Sequence, residues 1–301
     1  MTVLVTGGEG FIGQNLLKFF DSKNISWLST TRVAPYQNYL YLDLSNFETI
    51  ESLDLTGVQT VVHLAGLAHT PRATESKFLA INYEGTKALV RRAKEFGVKH
   101  FIFISSIGVN GLGKKVSYRF DDKPEPQESY AHSKLIAELA IKELCNDGGM
   151  GYTIIRPPLV FGKGARGSFG TLMKVAAKNY PLPLGLIRNK RSFVYIDNLI
   201  SVIVQCILRP EKSFGQTFLV SDDYDLSTSE LMRKLIVASG HSPRLLPVPV
   251  SVLLFISSFL RKKKVVERFT SNLTVDIEHT KKTLDWTPPV SFDDGVRRCF
   301  K

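Results

Sequence analysis

VLVTGGEGFIG, residues 3–13, turns an apolar strand into a helix through spaced glycines. Val3, Leu4 and Val5 form a short aliphatic run, and Phe11, Ile12, Leu16, Leu17 and Phe20 then recur at helical spacing. Thr6 to Gly10 is therefore the turn between them. Gly7 permits a tight turn, Gly10 lets backbone approach a pyrophosphate, and Gly13 lets the helix pack close to the strand. The helix N-terminus aims its N–H groups at an anion. This predicts the first βα turn of a dinucleotide site in an α/β fold, a doubly wound parallel Rossmann sheet.

The length of 301 residues leaves room for two lobes. The expected division is a dinucleotide-binding domain over 1–156, with roughly 191–208 returning to it, and a smaller α/β substrate lobe over 157–301. Hydrophobic residues at 44% and charged residues at 22% exclude a disordered or fibrous chain. A formal net charge of +11 attracts anions. Phosphorylated small molecules account for that charge, and without a zinc or basic fingerprint no nucleic-acid partner is expected. Cys145, Cys206 and Cys299 lie far apart with no CxxC pair, so neither a disulfide framework, a zinc cluster nor another metal site is expected. The opening residues already read as a core strand, so no signal peptide and a cytoplasmic location are expected.

The second strand reads ISWLST over 25–30 and runs into Thr30-Thr31-Arg32. A carboxylate usually stands there to accept from the adenosine ribose, and it would repel a 2′-phosphate. Arg32 instead offers charge-assisted hydrogen bonds of about 1.5–3 kcal/mol to such a phosphate, a preference of about tenfold to a hundredfold. NADP(H) is therefore expected over NAD(H), unless Arg32 is a solvated loop charge. YLYLDL at 39–44 ends with Asp43, placed either to reach adenine or to cap the next helix. QTVVHL at 59–64 opens into Ala65-Gly66-Leu67-Ala68, small residues past which a dinucleotide can run. His63 is expected in the core, and His69 on the following loop as a surface residue within reach of substrate.

Glu75 to Phe96 reads as one long helix carrying Asn82, which either holds a water near the active site or faces solvent. The strand HFIFI at 100–104 ends in Ser105-Ser106, hydroxyls expected at the ligand crevice. A second long helix, Gln127 to Cys145, presents Tyr130 and Lys134 on one face. Ionising a phenol at pH 7 costs about 4 kcal/mol, which an ammonium one turn away and an oxidised nicotinamide can supply together. Pro157-Pro158 and the Gly-rich 161–170 begin the second lobe. Arg191 in RSFVYID meets either a diphosphate or a surface carboxylate. VSVLLFISSFL at 250–260 precedes Arg261-Lys262-Lys263-Lys264. This run is too short to span a bilayer, where about 20 residues are needed. It is expected to pack as a subdomain helix, with an anionic membrane surface as the alternative.

TGGEGFIG at 6–13, HLAG at 63–66, Ser105-Ser106, the Tyr130/Lys134 pair, RPPLVFG at 156–162 and RSFVYIDNL at 191–199 together resemble the extended short-chain dehydrogenase/reductases that act on nucleotide sugars. SSIGVNG, PLPLG, LLPVP and LDWTPP are similar to the branch of UDP-4-keto-6-deoxy-N-acetylhexosamine reductases, which serve bacterial surface polysaccharide. The resemblance implies Tyr130 as general acid/base and Lys134 as the group that lowers its pKa and binds the nicotinamide ribose. Ser106 bonds the sugar oxygen and Arg191 the substrate diphosphate. It assigns Gly7, Gly10, Phe11, Ile12 and Gly13 to the pyrophosphate, Asp43 and Leu44 to adenine, and Ala65 and Gly66 to the cofactor backbone. Leu64, Asn82, Ser105 and Pro157 complete the cofactor's surroundings. Two departures stand out: Arg32 replaces an acid, and Asn110 replaces the Tyr of the VYG found in UDP-galactose epimerases. The implied activity is NADP(H)-dependent reduction of a C4 ketone on a UDP-linked sugar, with a UDP-hexose or N-acetylhexosamine 4-epimerase holding NAD as the alternative. The resemblance also implies a homodimer through the helices bearing Tyr130 and Asn82.

Overall fold

Short strands with apolar side chains on both faces bury them only when helices cover both sides of a sheet. The computed structural model, which describes residues 1–68, 73–114, 116–165, 167–259 and 263–300, has that arrangement. His69, Leu260, Arg261 and Lys262 lie outside the described residues. The strands are β1 (Thr2–Thr6), β2 (Ser26–Thr31), β3 (Tyr39–Tyr41), β4 (Val58–His63), β5 (His100–Ile104), β6 (Gly151–Arg156), β7 (Leu159–Phe161), β8 (Phe193–Tyr195) and β9 (Gln216–Leu219). Seven form one parallel sheet in the order β3-β2-β1-β4-β5-β6-β9, and β7 pairs with β8 apart from it. The last strand of the main sheet thus comes from beyond the 191–208 return that the pattern suggested.

Alternation sorts the strand residues into two cores. Leu4, Val61, Phe101 and Phe103 point to one side, where Leu89, Val90, Ala93, Ala137 and Ile141 cover them. Val3, Val5, Val62, Ile102 and Ile104 point to the other, against Leu16, Leu17, Phe20, Leu199 and Ile203, and this core continues into the second lobe. Burying each large side chain contributes about 1.5–3 kcal/mol. All three cysteines are unpaired and buried.

The order of the sheet reverses between β1 and β4. In open α/β sheets ligands bind in the crevice at the carboxyl ends of strands at such a point. Two helices begin there, Phe11–Ser22 after β1 and Ser129–Leu144 over β5.

The segment expected as one helix over 75–96 is broken in the middle. An α-turn at Glu75–Phe78 passes into a π-helical stretch, Leu79–Glu84, before α-helix resumes over Gly85–Glu95. The wider turn lets Gly85 lie against the Leu44 backbone, where an added Cβ would stand 2.5 Å from the Leu44 carbonyl oxygen. The expected packing of 250–260 also differs: the helix Val250–Phe259 has Ser257 as its buried residue, because the elements around it leave its apolar face uncovered.

Candidate active site

The glycine turn is shaped for close approach. Gly7 has φ +73°, a left-handed conformation that other residues adopt at a cost, and an added Cβ would stand 2.9 Å from the Ala65 nitrogen. At Gly13 it would stand 2.4 Å from the Gly7 carbonyl oxygen. The first helical hydrogen bond runs from Gln14 N to Gly10 O at 2.9 Å, so the N–H groups of Phe11, Ile12 and Gly13 have no acceptor within the helix. Gly10 brings no side chain to cap them. A pyrophosphate has the charge and the acceptors this cradle lacks, so the residues fit a dinucleotide.

Beneath the turn runs a buried chain of hydrogen bonds. Ala65 N donates to Thr6 Oγ1 (3.2 Å), Thr6 Oγ1 bonds His63 Nδ1 (2.6 Å), His63 Nε2 bonds Thr86 Oγ1 (2.9 Å), and Thr86 Oγ1 donates to the Asn82 carbonyl (2.7 Å). The Thr86 proton goes to Asn82, so His63 carries its proton on Nε2 and accepts from Thr6 at Nδ1. Desolvation first, then the Lys134 charge, press the His63 pKa down to about 3. The ring is neutral at physiological pH. Gly7 N donates to Thr30 Oγ1 at 3.1 Å, tying the turn to β2.

Asn82 is buried and fully engaged. Its Oδ1 accepts from Leu67 N (2.7 Å), and its Nδ2 donates to Leu67 O (3.0 Å) and to Ser133 Oγ (3.0 Å). It thus neither faces solvent nor keeps a donor for a water. The amide clamps the loop after β4 onto the helix that bears Tyr130. Ser105 differs from expectation too: its hydroxyl turns away from the crevice and donates to Glu138 Oε1 at 2.5 Å. Glu138, unanticipated from sequence, takes Arg156 as a two-pronged ion pair, Nε to Oε1 at 2.9 Å and Nη2 to Oε2 at 2.5 Å, with both residues buried. Arg156 also donates to Asn110 Oδ1 at 3.0 Å, so Asn110 braces this network.

Ser106, partly exposed, accepts from Gly108 N at 3.1 Å as the cap of a short 3-10 turn, leaving its own proton for another acceptor. The Pro157 carbonyl accepts from Ile107 N at 3.0 Å and fixes that turn to the end of β6. Lys134 is buried; its ammonium donates to the Ile104 carbonyl at 2.9 Å and lies 4.3 Å above the Phe103 ring. An added Gly66 Cβ would stand 3.6 Å from it. Desolvation brings the Lys134 pKa down to about 8, against the opposing pull of Glu138. Tyr130 is half-buried as a whole, beside Phe78, and desolvation of its phenol pushes the pKa up to about 12. The ends of β4 and β5 and the first turns of the Tyr130 helix therefore meet around Lys134.

Around the glycine turn, Leu64 N donates to Thr6 O, and Leu44 is buried beneath Gly85. Asp43 does not cap the following helix, since Asn46 does so. Hydrogen bonds from Ser45, and then the Arg32 charge, hold the Asp43 carboxyl below its ordinary range, against the opposing effect of burial. Arg32 itself is exposed just past β2. Glu9, also unanticipated, accepts from Thr31 Oγ1 at 3.1 Å, bringing a carboxylate to the same edge. A charge inside the glycine turn was the available signal. Arg191 Nη1 donates to the Arg268 and Ser271 carbonyls at 2.7 and 3.1 Å, and desolvation followed by Arg268 lowers its pKa to about 10. It pairs with no carboxylate in these contacts. Among the described residues no His/Cys/Asp/Glu cluster could hold a metal ion.

A parallel doubly wound sheet with a glycine cradle and a Tyr/Lys pair at its switch point defines a nicotinamide-dinucleotide enzyme. Residues 3–220 match the NAD dependent epimerase/dehydratase family, and the chain belongs to it. It is 38% identical over 308 residues to a UDP-glucose 4-epimerase of Vibrio cholerae, covering 99% of this chain and 94% of the relative. It is 28% identical over 247 residues to the N-acetyl-alpha-D-glucosaminyl-diphospho-ditrans,octacis-undecaprenol 4-epimerase of Escherichia coli O157:H7, covering 77% and 71%. Among solved structures, the UDP-glucose 4-epimerase of Thermotoga maritima with UDP-glucose matches with TM-score 0.82 at 21% identity, covering 100% and 97%.

Proposed function

We propose that this family member is an NADP(H)-dependent reductase of a C4 ketone on a nucleoside-diphosphate sugar. A fitting substrate is UDP-4-keto-6-deoxy-N-acetylhexosamine, reduced to UDP-N-acetylquinovosamine for bacterial surface polysaccharide. The carrying observation is the meeting of the Tyr130 helix, the Ser106-capped turn and the Lys134 ammonium at the end of β5, where burial raises the Tyr130 pKa. A phenol held protonated is a proton donor, and ketone reduction needs one. A reduced nicotinamide dinucleotide held on the glycine turn would supply a hydride for C4. Ser106 donates to the same sugar oxygen and steadies the developing alkoxide, and Tyr130 delivers the proton. Lys134 offsets the phenolate that results and bonds the nicotinamide ribose. Gly7, Gly10, Phe11, Ile12 and Gly13 take the pyrophosphate, Asp43 and Leu44 the adenine. Leu64, Ala65, Gly66 and Pro157 line the cofactor's path, and Asn82 and Ser105 act by bracing it. The remaining guanidinium nitrogens of Arg191 serve the substrate diphosphate. A homodimer through the helices bearing Tyr130 and Asn82 belongs to the same reading, and sedimentation velocity measures it.

Lys134 is charged below about pH 8 and loses its charge above it, while Tyr130 stays protonated to about 12. Turnover is therefore expected to fall as pH rises through about 8, and a rate that is flat to pH 10 refutes the role of the ammonium. The cofactor preference divides between two charges. Arg32→Ala is expected to reduce the preference for NADPH over NADH by about tenfold to a hundredfold. Glu9→Gln, which removes a carboxylate from beside Thr31, shifts it the other way. Equal affinities in the wild type remove this argument.

The 38% identity to a UDP-glucose 4-epimerase favours a second reading, in which the same residues take hydride from C4 and return it to the other face. Two measurements separate them. A reductase consumes NADPH against a panel of UDP- and dTDP-4-keto sugars. An epimerase interconverts UDP-glucose and UDP-galactose with no net change in absorbance, and carries a dinucleotide through purification.

A further inference from the structure

The helix Val250–Phe259 has its apolar face outward. Val252, Phe255, Ile256 and Phe259 are 42%, 65%, 50% and 74% exposed. They stand at i, i+3, i+4 and i+7, so they share one side of the helix, the reverse of an ordinary surface helix. The rings of Phe255 and Phe259 meet edge to face with centroids 5.0 Å apart. The platform beneath is firmly held. The helix Lys263–Thr270 packs against it, and the far end of that helix is pinned by Arg191 to the Arg268 carbonyl, by Thr228 to the Phe269 carbonyl (2.6 Å) and by Asn189 to the Ser271 carbonyl (2.9 Å).

The charge that flanks this helix in the sequence names the partner. Residues 241–275 contain six Lys or Arg, including the run Arg261-Lys262-Lys263-Lys264, and one carboxylate, Glu267. Lys263 is exposed and lies 3.7 Å from Glu267, a contact too solvated to cancel the surrounding charge. A second copy of the chain, itself at a net charge of +11, would meet this face with like charge. An anionic bilayer satisfies both features at once: apolar rings enter the boundary of the acyl chains and the ammonium groups meet phosphates. At 1.5 Å per residue the helix is about 15 Å long, half the hydrocarbon thickness, so it lies along the surface. Among the described residues no helix is long and apolar enough to cross a membrane.

We propose that the Val250–Phe259 face and its flanking cations dock the protein on the surface of a membrane rich in anionic lipid. Arg268 lies 4.0 Å from Glu128, the residue before the helix that bears Tyr130, so the helix behind the docking face abuts the candidate active-site helix. The proposal stands independently of the reaction assigned to that site.

Co-sedimentation of the full chain with vesicles tests it, using phosphatidylcholine alone and phosphatidylcholine with phosphatidylglycerol at about seven to three. The wild type is expected to bind the mixed vesicles and to leave pure phosphatidylcholine largely unbound. Phe255→Ser with Phe259→Ser abolishes binding without moving the melting temperature, since both rings are exposed. Lys263→Gln with Lys264→Gln weakens binding to the mixed vesicles by about thirtyfold. Failure of the wild type to bind the mixed vesicles overturns the proposal, as does equal binding to both compositions. A solution dimer that dissociates with the double Phe substitution also overturns it, by assigning the face to a second copy.

Discussion

Tyr130→Phe is expected to lower turnover by about a hundredfold to ten-thousandfold, the usual contribution of a positioned general acid. Dinucleotide affinity should stay within about threefold of wild type, because the glycine turn and Lys134 are untouched. The phenol oxygen is removed and the ring remains, so contact with Phe78 persists. Steady-state rates on a 4-keto substrate, read beside a fluorescence titration of NADPH, separate the two effects. Near-normal turnover in the variant ends the assignment of Tyr130 as proton donor. The uncatalysed acid is then water, and the case for the whole constellation weakens with it.

Glu138→Ala is expected to cost about 3–5 kcal/mol of folding stability, the loss seen when one partner of a buried ion pair is removed. The reason is local. Arg156 sits in the core, with its guanidinium on both Glu138 oxygens, and deleting the carboxylate leaves a desolvated cation and an unpaired Ser105 hydroxyl. Replacing Glu138 and Arg156 together by Leu and Met is expected to recover part of the loss, since two apolar groups leave no charge behind. Urea denaturation measures both. A single-variant loss below about 1 kcal/mol contradicts the ion pair's role. Glu138 also lies on the helix that carries Lys134 and holds the pKa of that ammonium up. Its loss moves the alkaline fall in rate to lower pH.

Much of the architecture was legible because it rests on periodicity. The strand at His100–Ile104 shows as a short, nearly continuous apolar run, and the helix with Tyr130 and Lys134 as a spacing of 3.6. What stayed hidden depends on which way one side chain turns. Ser105 and Ser106 are adjacent at a strand end, where successive residues face opposite sides, so both hydroxyls could not share the crevice. Only packing decides that Ser105 takes the Glu138 side. Asn82 is set by a π-helical turn, and the wider winding leaves no mark in composition. The apolar run at 250–259 reads as core in any window of sequence. Its exposure depends on which elements fail to cover it, and those are distant in the chain. The Arg156 partner could have been found: Tyr130, Lys134 and Glu138 repeat every four residues on one helix.

The hydrogen-bonded chain beneath the glycine turn has one sense only. At one end the Ala65 amide can only give a hydrogen, and at the other the Asn82 carbonyl can only receive one. Each hydroxyl between them has a single hydrogen to pass along, and His63 stays neutral. Reversal would need the carbonyl to become a donor. The chain is thus a rectified strut that holds the loop after β4 at a set spacing from the helix carrying Asn82 and Thr86, and it relays no proton in the reverse sense.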